Sequence, residues 1–380
     1  MLPPVRCLLF ATTLSFALVT GTTHAAEAPG ITDKEILIGQ TAAQTGPTAD
    51  LGHDVRLGIE AYFKEINAKG GVHGRQLRLL SLDDGYDPER AAANAKQLIE
   101  KDKVFALLGN VGTATGLAVL PVMNEAKVPL VGPYSGAESL RGPDSGLIFH
   151  IRASYSDEAQ AIIKSIANPA GRRLAVLYQN DAFGKSGLAD VEHELKRLNV
   201  ALVAKAPVER NSTDVAAAVD AINKAKADGV IMMSAYKSSA AFVRELRRRD
   251  PQSFTQFWAV SFVGGKALAN ELGADGRGVA VSQVVPFPWG DVLPVVREHA
   301  KAMPADAVSF ATLEGYIDAK VLVEGLKRAG KNLTRDGLVQ ALASAGKLDV
   351  GGFAVQFSPT DHKGSRYVDL TMIGRGGFIH

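Results

Sequence analysis

The 380-residue sequence contains one cysteine, Cys7. Beyond that position the chain has no disulfide, no thiolate nucleophile and no sulfur ligand for a metal. It also lacks a dominant charge sign. Its 42 Lys and Arg residues against 40 Asp and Glu leave a net charge of +2. Such a balance gives no electrostatic reason to expect nucleic acid or an anionic membrane surface as partner. The apolar run over residues 7–19 spans about 13 residues, short of the roughly 20 that cross a bilayer. With 46% hydrophobic and 22% charged residues, the remaining text is that of an ordinary globular protein. Its length exceeds what one compact core usually holds, so two domains are expected.

The first 25 residues differ from the rest. Arg6 supplies a positive n-region, residues 7–19 an apolar h-region, and Thr23-His24-Ala25 the small residues at −3 and −1 of a cut before Ala26. This pattern is that of a cleaved export signal. It implies a free protein outside the cytoplasm, in the periplasm, held by its cores alone.

Strand-like and helix-like stretches then alternate. Residues 35–43 read as a strand. In the next stretch Val55, Ile59, Tyr62, Phe63 and Ile66 recur on one helical face, and glycines at 70 and 71 stop the helix. Strands are expected at 75–82, 104–108 and 128–131, with helices from Pro88 to about 102 and over 115–125. After 148–152 the rhythm restarts. Strands are expected at 173–178, 200–208, 229–233, 257–260 and 279–285, and helices at 186–198, 214–227, 238–248 and 265–271. Residues 292–303, 310–329 and 334–345 read as helices, and 353–357 and 366–373 as strands. Alternating β and α elements argue parallel sheets with helices on both faces. Two such series argue two doubly wound α/β lobes, with the leftover C-terminal pieces returning to form a hinge.

Gly109, Gly112 and Gly116 lie in the stretch LLGNVGTATG but have the wrong spacing for a dinucleotide fingerprint, and they follow the third strand of their series, not the first. The Gly184-Lys185-Ser186 sequence lacks the leading glycine of a P-loop, since position 179 is Gln179. Ser135 is not in a G-x-S-x-G elbow. Asp83-Asp84-Gly85 reads as a turn capping the helix at Pro88, with a cation or general-acid site as the alternative. The histidines show no ligand spacing, so no metal and no cofactor is expected. Arg244–Arg249 read as a solvated helix end suited to the helix dipole, with a contact surface for a membrane partner as the alternative.

What remains is a set of hydroxyls, glycines and aromatics at the carboxyl ends of strands, where open α/β sheets hold ligands. Asn110, Thr113 and Thr115 follow one strand, and Tyr134, Ser135 and Gly136 the next. Phe183, Tyr236 and Ser261 follow three strands of the second series. Hydroxyls and N–H groups at a helix N-terminus suit a carboxylate, and facing aromatics would cover an apolar body. Each position can equally be an ordinary turn or cap residue.

From residue 35 to the end the chain resembles type I periplasmic solute-binding proteins of ABC importers, in the branched-chain amino-acid-binding branch. The stretches that carry the resemblance are Thr45-Gly46-Pro47, Asn67-Ala68-Lys69-Gly70-Gly71-Val72-His73-Gly74, Asp83-Asp84 with Pro88, and Val128-Pro129-Leu130-Val131-Gly132-Pro133, in that order. The resemblance implies two lobes joined by three crossovers that close around the ligand. It divides the chain into residues 26–152 with about 287–350, and 153–286 with about 351–380. It also implies that Thr113 holds a ligand carboxylate, that Tyr134 to Gly136 assist, and that Phe183 and Tyr236 are second-lobe aromatics. Two positions depart from that pattern. Leu51 stands where an aromatic would cover the ligand. Ser261, followed by Phe262, stands where an acidic residue would pair with the ligand's ammonium. A buried ammonium without an anionic partner is unfavourable by several kcal/mol, so the expected ligand is a small carboxylate, an aromatic or other organic acid in preference to an amino acid, with an amino acid as the alternative. The partner implied is an ABC permease in the inner membrane, served by a monomer. A ligand-sensing subunit and an exported enzyme using Asp83 or Asp84 stand as alternatives.

Overall fold

The computed structural model describes residues 28–252, 254–375 and 378–379. The export signal expected over residues 1–25 lies outside the described residues. In the first lobe, β1 (Glu35–Ala42), β2 (Gln76–Asp83), β3 (Ala106–Leu108), β4 (Leu130–Val131) and β5 (Ile148–Phe149) form a parallel sheet in the order β2-β1-β3-β4-β5. Helices α1 (Ala49–Ala68), α2 (Pro88–Lys96) and α3 (Thr113–Glu125) connect its first four strands. The apolar stripe of α1 is buried as its periodicity indicates, with Val55, Ile59, Tyr62, Phe63 and Ile66 facing inward.

The second lobe repeats the plan. It runs α4 (Tyr155–Ser165), β6 (Leu174–Gln179), α5 (Ala182–Arg197), β7 (Ala204–Val208), α6 (Ala216–Lys224), β8 (Gly229–Met233), α7 (Tyr236–Arg249), β9 (Gln256–Ala259), α8 (Gly265–Leu272) and β10 (Ala280–Gln283). Strands β7-β6-β8-β9-β10 are parallel and in that order. The all-apolar sequence of β8, buried along its length, is what a parallel strand covered on both faces requires.

The remaining elements are α9 (Pro294–Ala302), α10 (Phe310–Ala329), α11 (Arg335–Ala343), the antiparallel pair β11 (Gly346–Asp349) and β12 (Ala354–Phe357), and β13 (Asp369–Ile373) with β14 (Phe378–Ile379). Strand β13 adds antiparallel to β10 and so extends the second sheet. Helix α10 crosses α1 at backbone contact. A Cβ on Gly58 would lie 1.9 Å from the Thr312 carbonyl oxygen, and one on Gly315 would lie 2.2 Å from that of Val55. Two reciprocal glycines therefore seat the C-terminal helix on the first lobe. The chain passes between the sheets three times, at 150–154, at 284–293 and between Phe357 and Asp369.

Several boundaries differ from the sequence reading, for local reasons. Helix α5 begins at Ala182, four residues before the expected start, because the Asp181 carboxylate accepts the Phe183 and Gly184 N–H groups. Helix α3 begins at Thr113 and not at 115, behind Gly112 at φ 108°. Asp83-Asp84-Gly85 enters a turn, as expected, but the cap of α2 is Asp87, which accepts from Glu89 and Arg90. Strand β7 is shorter than 200–208 because Asn199, at φ 56°, and the residues after it form the turn.

Beside the first passage lies a buried ion pair. Arg152 Nε donates to Glu314 Oε1 at 2.8 Å and Nη2 to Oε2 at 3.0 Å, with side-chain exposures of 0% and 3%. Burial opposes the Arg152 charge, but Glu314, together with Tyr134, Glu158 and Tyr155, outweighs it and raises the guanidinium pKa. The Arg152 guanidinium also lies 4.1 Å over the Tyr134 ring. Breaking a buried pair from one side strands the other charge, whereas replacing both partners with apolar groups can be neutral. Arg152→Leu should therefore destabilise the protein by about 3–5 kcal/mol in chemical denaturation. Adding Glu314→Leu should recover most of that loss.

Candidate functional site

The carboxyl ends of the two parallel sheets face each other across a cleft. Thr48 Oγ1 donates to Asn211 Oδ1 at 3.4 Å, and Asn211 Nδ2 donates to the Gly85 carbonyl at 3.2 Å. Arg210 lies 3.8 Å from Asp87, and Lys266 donates to the Asp306 carbonyl. Leu51 abuts Gly264, where a Cβ would meet its side chain at 2.3 Å. These contacts hold the lobes together at the cleft rim.

Three hydroxyls line the inner wall. Gly112 turns the chain so that Thr113 opens α3, and Thr113 Oγ1 lies 2.8 Å from Ser135 Oγ. Ser135 Oγ also accepts the Ala137 N–H at 3.3 Å. The third comes from the other lobe. The Tyr155 N–H donates to the Gly136 carbonyl at 2.9 Å, and a Cβ on Gly136 would lie 2.7 Å from the Tyr155 ring. Gly136 is thus the residue that admits Tyr155, whose hydroxyl lies beside those of Thr113 and Ser135. That hydroxyl is buried and makes no well-formed hydrogen bond of its own. Burial pushes its pKa up to about 12, so it remains a donor at neutral pH. Asn110 Oδ1 accepts the Thr41 N–H at 3.4 Å, while Asn110 Nδ2 is buried without a partner. The wall therefore offers hydroxyls that can donate, beside an Asn110 amide N–H that can only donate.

Aromatic rings face this wall. Phe262 is central, with its centroid 4.4 Å from Phe183, 5.7 Å from Tyr134 and 6.0 Å from Tyr86. Phe183 is 5.3 Å from Tyr155. All five side chains are buried, and they come from both lobes. Tyr134 Oη reaches across to the Ser261 carbonyl at 3.5 Å.

The sequence reading left no acid beside Ser261. The structure places one there from a distant element. Glu158, in the first turn of α4, accepts from Ser261 N at 2.7 Å, Ser261 Oγ at 3.0 Å and Ser282 Oγ at 2.5 Å. Three of its about four lone-pair sites are thereby taken up by the protein, and Ser261 turns its hydroxyl toward Glu158. Asp181 is committed in the same way, to Phe183 N, Gly184 N and Gln179 Nε2.

The structure thus gathers Asn110, Thr113, Ser135, Gly136, Tyr134, Phe183 and Phe262 around one volume. Three expected residues stand apart. Thr115 donates its hydroxyl to the Val111 carbonyl within α3, as helical threonines do. Tyr236 opens α7 opposite Asp50, and with Leu51 it belongs to the rim. Tyr155, Glu158 and Tyr86 were not singled out from the sequence. Asp83 and Asp84 fasten loops. Asp83 accepts from Thr45, Gln44 and Gly85, bonds that outweigh burial and hold its carboxyl well below the usual range. Asp84 accepts from Tyr86 N and Thr41 Oγ1, and burial pushes it up to about 6. Among the described residues no cluster of three or more His, Cys, Asp or Glu side chains could hold a metal ion.

Comparison with known proteins agrees with this architecture. The chain is 27% identical over 219 residues to an amino acid binding protein of Pseudomonas aeruginosa, spanning 57% of this chain and 58% of that relative. It is 25% identical over 373 residues to Leu/Ile/Val-binding protein homolog 3 of Brucella melitensis, covering 94% of this chain and 95% of the relative. A substrate-binding periplasmic protein from Ralstonia solanacearum superimposes with a TM-score of 0.83 at 34% identity, over 91% of this chain and 99% of that one. Residues 35–377 match the periplasmic binding protein model. The chain belongs to the periplasmic binding protein family, and its relatives and structural neighbours are solute-binding proteins, not enzymes.

Proposed function

We propose that this protein captures a small carboxylate, an aromatic or other organic acid and not an α-amino acid, and delivers it to the permease of an ABC importer. The observation that carries this reading is the pairing of a wall of hydroxyls with a Glu158 that already accepts three hydrogen bonds from the protein. Thr113, Ser135 and Tyr155 supply hydroxyls beside the free Asn110 amide, and charge-assisted hydrogen bonds from such groups favour a carboxylate. The aromatic rings of Tyr86, Tyr134, Tyr155, Phe183 and Phe262 would enclose an apolar or aromatic body. Glu158 and Asp181 each already accept three hydrogen bonds from the protein, so an ammonium finds on either only what those bonds leave free, which weakens its binding.

Ligand admission needs the lobes to part, separating Phe262 from Tyr86 and Tyr134. Closure then replaces part of that ring packing with ligand contact, as in hinge closure about flexible passages. The family supports an extracytoplasmic location for this cycle, and the export pattern of the first 25 residues agrees with it.

A calorimetric panel tests the ligand class. Aromatic carboxylates such as benzoate derivatives should give saturable heats, and leucine, isoleucine and valine none. A strong branched-chain amino-acid signal with no aromatic-acid signal would overturn the reading. Within the panel, Thr113→Ala should weaken the best ligand by about 1–3 kcal/mol while the protein remains folded, its unfolding midpoint lowered only by the lost contact with Ser135. Unchanged affinity would make the stretch from Asn110 to Gly116 a turn and nothing more.

A further inference from the structure

Away from the cleft, a cavity of about 530 Å³ lies beside the first and last passages between the lobes. One wall comes from Arg141, Ser145 and His150, ahead of the first passage, and the other from Asp361, His362 and Lys363, within the last. Backbone hydrogen bonds join the walls: His150 N donates to the His362 carbonyl at 2.9 Å, and Gly364 N donates to that of His150 at 2.7 Å.

Three buried polar atoms on the first wall have no partner: Arg141 Nε, Ser145 Oγ and His150 Nδ1. Their residues are 9%, 6% and 2% exposed. Buried groups of this kind normally find a partner, and their chemistry says which. Arg141 Nη2 is already bonded to the carbonyls of Arg152 and Ala153 at 3.0 and 3.2 Å, so the free Nε–H wants an acceptor. His150 Nε2 lies 2.9 Å from the Leu140 carbonyl, which can only accept. The proton is therefore on Nε2, and Nδ1 presents a lone pair that wants a donor. Burial, then the nearby Arg141 charge, keep this imidazole neutral. Ser145 can serve either role.

The lining charge is modestly positive. Arg141 and Lys363 face one carboxylate, Asp361, whose Oδ1 accepts the Lys363 N–H at 3.0 Å. The Lys363 ammonium is 4.0 Å from Glu138, and His362 stacks on Phe149 at 4.1 Å. A plain anion would satisfy Arg141 and leave His150 unmet; a neutral polyol could meet both atoms but would not answer the net positive lining.

We propose that this cavity is a second ligand site, taking a small oxyanion that carries its own hydroxyl donor, as monohydrogen phosphate and 2-hydroxycarboxylates do. The oxyanion faces Arg141 and Lys363, and its hydroxyl donates to His150 Nδ1. Because the walls belong to two different passages, the ligand ties the hinge strands together.

Isothermal titrations at about pH 8 with inorganic phosphate, glycolate and acetate test this site on the unmodified protein, Ser145→Ala and Thr113→Ala. Phosphate and glycolate should bind, with acetate roughly tenfold weaker for want of the hydroxyl. Ser145→Ala should weaken phosphate roughly tenfold with no change in melting temperature, since its hydroxyl makes no hydrogen bond in the fold. Thr113→Ala should titrate phosphate like the unmodified protein. Absence of saturable heat up to about 10 mM, acetate matching glycolate, or Ser145→Ala titrating like the unmodified protein would each overturn the proposal. A loss seen only in Thr113→Ala would assign the heat to the cleft, overturning this site and leaving the cleft reading intact.

Discussion

The buried pair of Arg152 and Glu314 is the interaction on which the rest of the molecule turns. Arg152 stands in the first passage between the lobes, and Glu314 stands on α10, a helix from the far end of the chain. Desolvating both charges is unfavourable, and only the two-pronged geometry and its dry surroundings offset that cost. The pair therefore fixes where α10 lies relative to the first passage. The reciprocal glycines Gly58 and Gly315 then allow α10 to settle on α1. Above the pair, Arg152 supports the Tyr134 ring, and Tyr134 reaches the Ser261 carbonyl of the other lobe. The hinge and the cleft floor share these atoms, so a disturbance of one is felt by the other.

The cleft balances two demands. Its aromatic rings pack well against each other across the lobes, which favours closure. Its hydroxyls and the Asn110 amide offer donors that the protein alone does not fully use, which favours a ligand rich in acceptors. A carboxylate on an apolar body meets both demands at once. Tyr155 joins them, because it belongs to the second lobe by sequence and to the first lobe's wall by contact. In the proposed cycle, closure would bring the third hydroxyl to the other two and couple recognition to lobe motion through one side chain.

How much of this could be read from the sequence follows the range of the interactions. The α/β alternation and the buried face of α1 are local and were legible. The place of Thr113 after a strand and at the start of a helix is a local pattern too, while its part in holding a ligand is proposed. The start of α5 was missed, although Asp181 ahead of Phe183 and Gly184 was a usable cap signal. Tyr155 and Glu158 were beyond reach. Glu158 meets Ser261 only because α4 packs against the ends of β9 and β10, with 103 residues between the two in sequence. A serine aligned with an expected acid therefore looked like an absence, when the fold supplies a carboxylate there from elsewhere and holds it in hydrogen bonds. The pairing of Gly58 with Gly315 is equally long-range, and each glycine alone looks like an ordinary helix residue.

The central claim is that the cleft holds a carboxylate and has no free acid for an ammonium. The most direct measurement is mass spectrometry of the small molecule released when the protein, purified under native conditions, is denatured. The account expects a carboxylic acid without an amino group, present at about one molecule per chain and lost from the Thr113→Ala variant. Release of leucine, isoleucine, valine or another α-amino acid at that stoichiometry would contradict it.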